Sequence, residues 1–205
     1  MSLDRLDVAT GALVALAGGI ATGREPLVER LCRECRELKV PEGWVDELLL
    51  QSLLMVGWPR TLNAAMAWRR LRPEPEPGED GTSYDRAAKW TARGVEVCRA
   101  VYGTNYERLR ANVQALHPAL DAWMVTEGYG RTLGRSGLDL ARRECCVVAQ
   151  VAVQGARRQL HSHLLGAIRA GASHAALEQV LDFVRPLLGP EETSVAERLW
   201  ERVVR

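Results

Sequence analysis

Phenylalanine occurs once in these 205 residues and β-branched residues seldom cluster, so no stretch shows the alternation that builds a strand. Apolar residues recur instead at three- and four-residue spacings from end to end, which predicts an all-α fold. Long hydrophobic runs are also lacking. The longest, Ala12 to Ala21, is about ten residues and contains Gly18 and Gly19, against the roughly 20 that cross a bilayer, so no transmembrane helix is expected. Neither charge sign is in excess: 27 Lys and Arg face 26 Asp and Glu, and a net charge of +1 supplies no field for a phosphate backbone. A dedicated nucleic-acid binder is thereby excluded. Lysine is confined to Lys39 and Lys89; the remaining cations are arginines, whose planar fork suits carboxylates and interhelical pairs. The start carries Asp4 and Asp7 against Arg5 instead of a positive segment, so no secretory signal is expected there. With five cysteines, an odd number, this predicts reduced thiols and a cytoplasmic protein.

The spacing predicts helices over about 3–22, 25–39, 42–56, 60–71, 84–101, 104–116, 118–130, 137–154, 157–170, 174–187 and 191–204. Thr104 with Glu107 and Ser136 with Asp139 fit capping boxes, Ser173 fits an N-cap, and Pro118 suits a first helical turn. Three prolines, two glycines and four acidic residues in RPEPEPGEDGTS cannot continue a helix, so residues 73–83 read as a linker between 1–72 and 84–205. Each part ends alike. At a spacing of about 131 residues Glu47 falls on Glu178, and Gly57 to Pro59 meets Gly189 and Pro190 with a one-residue slip, so two related copies are the economical reading.

Glu144 is the first residue that could carry chemistry. On a helix over 138–153 it lies among Leu140, Val147, Val148 and Val151, with Asp139, Arg142, Arg143 and Gln150 on the opposite face. A carboxylate in an apolar stripe needs a partner, which is either an arginine in a structural ion pair or a group with which it does acid–base work. His161 and His163 follow on the next helix. At 200° apart they cannot grip one ion together, and no metal site is expected. Cys32 and Cys35 share a helical side near Arg33 and Arg36, which would favour a thiolate, though buried inert thiols are the alternative. Cys145 and Cys146 read as packing residues. Gly57, Trp58, Pro59 and Arg60 form a tight turn opening a helix, and the Arg60 fork matches a carboxylate.

The stretch from Tyr129 to Leu181 resembles the carboxymuconolactone decarboxylase family, which shares its fold with alkylhydroperoxidase D. The matching features are Gly137-Leu138-Asp139, Arg143-Glu144, Gln159-Leu160 with His163, Ala167 with Gly171, and Glu178 with Leu181. Residues 1–72 are similar to a second, degenerate copy ending in the Gly57 to Arg60 turn. The resemblance implies an all-α bundle, a small-molecule substrate, no cofactor, and a homo-oligomer with a trimer favoured. It implies that Glu144 and His163 form a proton-transfer pair, with Arg60 and His161 contacting substrate. In the hydroperoxidase branch a Cys-x-x-Cys stands between that Glu and His, but here those positions are Ala156 and Gln159. Decarboxylase-like chemistry is therefore expected first. Alternatives are a thiol-dependent hydroperoxidase using Cys32 and Cys35, and a non-catalytic oligomeric binding protein.

Overall fold

The computed structural model describes residues 3–205, whose regular structure is helical, with no strand among the described residues beyond a single parallel bridge between Leu3 and Ala172, and with no helix over 72–83. The helices are α1 (Val8–Thr22), α2 (Glu25–Glu37), α3 (Glu42–Leu71), α4 (Ala87–Tyr102), α5 (Tyr106–Leu116), α6 (Pro118–Trp123), α7 (Leu140–Val153), α8 (Arg157–Arg169), α9 (His174–Val184) and α10 (Pro190–Val204). A π-helical segment, Met124–Leu133, follows α6.

Local chemistry sets the starts. Asp7 accepts a hydrogen bond from the Thr10 N–H and opens α1 five residues later than the apolar spacing suggests. Asp139 opens α7 in the same way through the Arg142 N–H, so the cap is Asp139 and not the expected Ser136. Ser173 caps α9, and Pro118 begins α6 behind a cap from the His117 ring, both as expected. Thr104 caps nothing, because it lies within a 3-10 turn ahead of α5. The helices predicted over 42–56 and 60–71 are the two parts of α3, which meet at a kink where the backbone of Gly57 is not helical. Gly57 has φ 73° and ψ 176°, a conformation nearly closed to residues with a Cβ, and Pro59 two positions on has no N–H to give the preceding turn.

The chain forms two compact units. One joins the segment ending at Pro77 to Gly137–Arg205, and the other is Gly78–Ser136. The expected boundary at 73–83, with 84–205 as a single copy, differs from this division. The reason is that α7 is packed by α1 and α3 from the first part of the chain as well as by α8 and α9. Within the smaller unit α4 lies against the π-helical segment, and the approach is backbone to backbone: a Cβ on Gly94 would fall 2.0 Å from the Val125 carbonyl oxygen.

In the larger unit α7 is enclosed, and this corrects the reading of its polar face. Arg143 and Gln150, expected opposite the apolar stripe, are both fully buried. Arg142 reaches the edge beside the exposed cap Asp139. Its guanidinium donates to Asp139 at 2.6 Å, to Asp7 at 2.8 Å and to the Thr10 hydroxyl at 2.8 Å, so one cation joins the caps of α1 and α7. Burial alone would raise the Asp7 carboxyl, but hydrogen bonds from the Thr10 N–H and Arg142 outweigh it and hold it below its ordinary value. Asp7→Ala should therefore cost about 1 kcal/mol in urea unfolding, the usual loss for an N-cap. No change in the urea midpoint would show that the cap contributes nothing.

Candidate functional site

Helix α7 carries Glu144 inward and α8, after the short turn at Gln154–Ala156, carries His163 back against it. His163 Nδ1 lies 2.8 Å from Glu144 Oε2, with both side chains buried. The partner of the carboxylate is thus the histidine and not an arginine. Glu144 Oε1 is also buried and has no hydrogen-bond partner among the described residues. A buried acceptor in that state costs on the order of 1–3 kcal/mol, the kind of cost that structures retain at working sites. Carboxylate contact at Nδ1 fixes the plane of the imidazole.

The preceding residue on α7 does something different. Arg143 is fully buried and directs Nη2 to Glu47 Oε2 at 2.7 Å, Nε to the Leu138 carbonyl at 3.0 Å and Nη1 to Gln51 Oε1 at 3.3 Å. Gln51 returns a hydrogen bond from its amide to the Arg143 carbonyl at 3.1 Å. Glu47 and Gln51, one turn apart on α3, therefore clamp α7 beside the Glu–His pair. Sequence reasoning noticed Glu47 only as a repeat marker. The signal that could have found the clamp is the pairing of Glu47 and Gln51 at i, i+4 on either side of the apolar run Leu48 to Leu50.

The other expected site residues are dispersed. Arg60 donates to the Ala21 carbonyl at the end of α1, at 2.5 Å, and covers Gly23, so its fork serves a helix terminus. His161 is half-buried and faces a groove between α8 and α10. Cys32 and Cys35 are fully buried on α2, with Cys35 Sγ 3.6 Å from the Ala12 carbonyl oxygen. Burial pushes both thiols up to about 12, reinforced for Cys32 by the Glu29 charge and for Cys35 by Cys32; Arg33 opposes this only weakly. The expected activation by Arg33 and Arg36 is therefore overcome. Cys145 and Cys146 are buried as well, as packing residues. Three surface grooves on this unit are lined by other residues than Glu144 and His163.

An all-helical chain with a buried Glu–His pair across two successive helices is what the family resemblance implied. Residues 1–70 match the model of the carboxymuconolactone decarboxylase family, so the resemblance drawn from the sequence holds. The match falls on the part that reads as the degenerate copy. A curated relative is similar over a longer stretch: "Peroxisomal protein 2" of Schizosaccharomyces pombe is 25% identical over 172 residues, covering 82% of this chain and 79% of that protein. Among the described residues no helix is long and apolar enough to cross a membrane.

Proposed function

We propose that the chain is a small-molecule enzyme of the carboxymuconolactone decarboxylase type, in which His163 exchanges a proton at the reacting carbon. Glu144 is then a positioning residue that sets the imidazole tautomer and strengthens its basicity. The observation that carries this reading is the buried 2.8 Å contact between Glu144 Oε2 and His163 Nδ1, with no arginine taking the carboxylate. The test is turnover of an unsaturated lactone acid. His163→Ala should lower it by about 10² to 10⁴, the usual scale for a general acid or base, while Glu144→Gln should move the pH–rate profile. Equal turnover in native and His163→Ala protein, or none in the native protein, overturns the proposal.

The two-copy architecture belongs to the same reading. A constant spacing of 132 residues, the separation of Thr10 and Arg142, relates several features. It carries the cap Asp7 to Asp139, the left-handed Gly23 to Gly155, the positive-φ Lys39 to Gly171, and the α3 bend at Gly57 to Gly189 before α10. This register replaces the spacing of about 131 and removes the slip. Under it Glu144 falls on Ala12 and His163 on Leu31, which supports a first copy that acts as scaffold. Association of copies is supported by exposed apolar side chains at i, i+4 on each part of α3, Leu50 and Leu54 before the Gly57 kink and Trp58, Leu62 and Met66 after it. We infer a homo-oligomer, with the trimer favoured by the family's habit.

The thiol-dependent alternative has less support, since Cys32 and Cys35 are buried and held protonated. Five cysteines, an odd number, favour a cytoplasmic setting, whereas the relative from Schizosaccharomyces pombe is named for the peroxisome; imaging a tagged full-length chain decides between them.

A further inference from the structure

We propose that the groove between α8 and α10 is a binding site for a compact anion with at least two phosphate or carboxylate groups. The groove has a volume of about 520 Å³ and its walls carry Arg157, Arg158, His161 and Ser162 from α8 and Arg198 and Arg202 from α10. That volume lies in the range of small-molecule sites. Arg157 pairs with Glu191 at the rim and Arg198 donates to the Ser194 hydroxyl. Arg158 and Arg202 have no carboxylate partner among the described residues. Glu201, one residue before Arg202, is paired with Arg205. The acidic groups near the groove therefore leave most of its positive charge uncompensated, and Arg forks at two walls can engage two anionic groups at once.

A second groove in the same unit shows what this architecture does without that charge pattern. Between α2 and the second part of α3, the 132-residue spacing places Glu25 where Arg157 stands, Glu29 where His161 stands, Met66 where Arg198 stands and Arg70 where Arg202 stands. There Arg70 Nη1 donates to Glu29 Oε1 at 2.6 Å and Asn63 Nδ2 to Glu25 Oε1 at 2.8 Å. The ion pair bridges the two walls, and the space between them is only about 40 Å³. At the α8–α10 groove both carboxylates are replaced by cationic or ionisable side chains, and the ion pair that crosses from α8 to α10, Arg157 with Glu191, lies at the rim and leaves Arg158 and Arg202 without a carboxylate among the described residues. An external anion would play the part that Glu25 and Glu29 play in the other groove. This inference does not rest on the Glu144–His163 reading, because His161 and His163 project from different sides of α8.

Isothermal titration calorimetry of the full chain, with inorganic pyrophosphate and with citrate in separate titrations at constant chloride, tests the proposal. At least one probe should bind once per chain. The Arg198→Ala/Arg202→Ala double variant should bind it tenfold or more weakly, and Arg70→Ala should bind it as the native protein does. His161→Glu recreates the pair seen in the other groove. It should keep the native circular dichroism and melting profile while losing the probe, which holds the test open should the double variant fold poorly. Binding of pyrophosphate alone assigns the site to a phosphate-bearing ligand, and binding of citrate alone to a polycarboxylate. Failure of both probes to bind, or binding unchanged in the double variant and in His161→Glu, overturns it.

Discussion

Arg143→Leu should cost about 3–5 kcal/mol of stability, the range for removing one member of a buried ion pair and leaving the other charge uncompensated. The guanidinium is wholly enclosed and holds Glu47, the Gln51 side chain and the Leu138 carbonyl. With the arginine gone, Glu47 sits 5% exposed, without the cation that compensates it there. A second substitution separates the two components of that cost. Glu47→Leu in the Arg143→Leu background removes the stranded carboxylate, and the double variant should recover most of the loss, because an apolar pair of similar volume is often as stable as a buried ion pair. Urea midpoints for the native protein, both single variants and the double variant supply the cycle. A single variant within about 1 kcal/mol of native, the scale of an exposed pair, would show that the clamp contributes little.

Stability should also fall steeply as pH rises above 9. Burial raises Cys32, Cys35 and Cys145 from the ordinary 9.0 to about 12 and Cys146 well above 9.0. A group whose folded value is raised contributes its full stability below the unfolded value. That contribution is lost as the pH climbs from there toward the folded value, because the unfolded chain gives up the proton first. Each such thiol removes about 1.4 kcal/mol per pH unit in that window, so four together remove several. The urea midpoint should be level from pH 7 to 8 and drop between 9 and about 11. Cys146→Ala should shallow the slope by about a quarter even if it lowers the midpoint at neutral pH. Under native conditions at pH 8, Ellman's reagent should leave these thiols unmodified. An unchanged alkaline slope in Cys146→Ala would remove the thiols as its cause.

The parts of this fold that were legible in the sequence are those in which one residue carries its own local reason. Ser173 and Pro118 announce helix starts, Gly57 announces the bend in α3, and Glu144 stands out because a carboxylate interrupts an apolar stripe. The contact between Glu144 and His163 could be expected on the resemblance, since neither residue identifies the other by spacing alone. What stayed hidden depends on tertiary cover. Arg143 and Gln150 look like a solvated face until α3 lies over them, and the Arg143 clamp needs Glu47 from 96 positions away. The π-helical segment, expected as the end of a helix over 118–130, is read in the sequence only as ordinary periodicity, because its wider turn leaves no composition mark. Glu178, matched to Glu47 at a spacing of about 131, is exposed whereas Glu47 is buried, so the two do not do the same work.

Arg142 reaching from Asp139 to Asp7 bears on what a severed chain would do. Helices α1 and α7 each provide the other's cover, so a fragment ending near Pro77 would leave bare the wall that α7 occupies, and a fragment beginning near Gly137 the reverse. Mixed in solution, such fragments have a ready-made mate in each other, and each alone has a sticky side that invites its own kind.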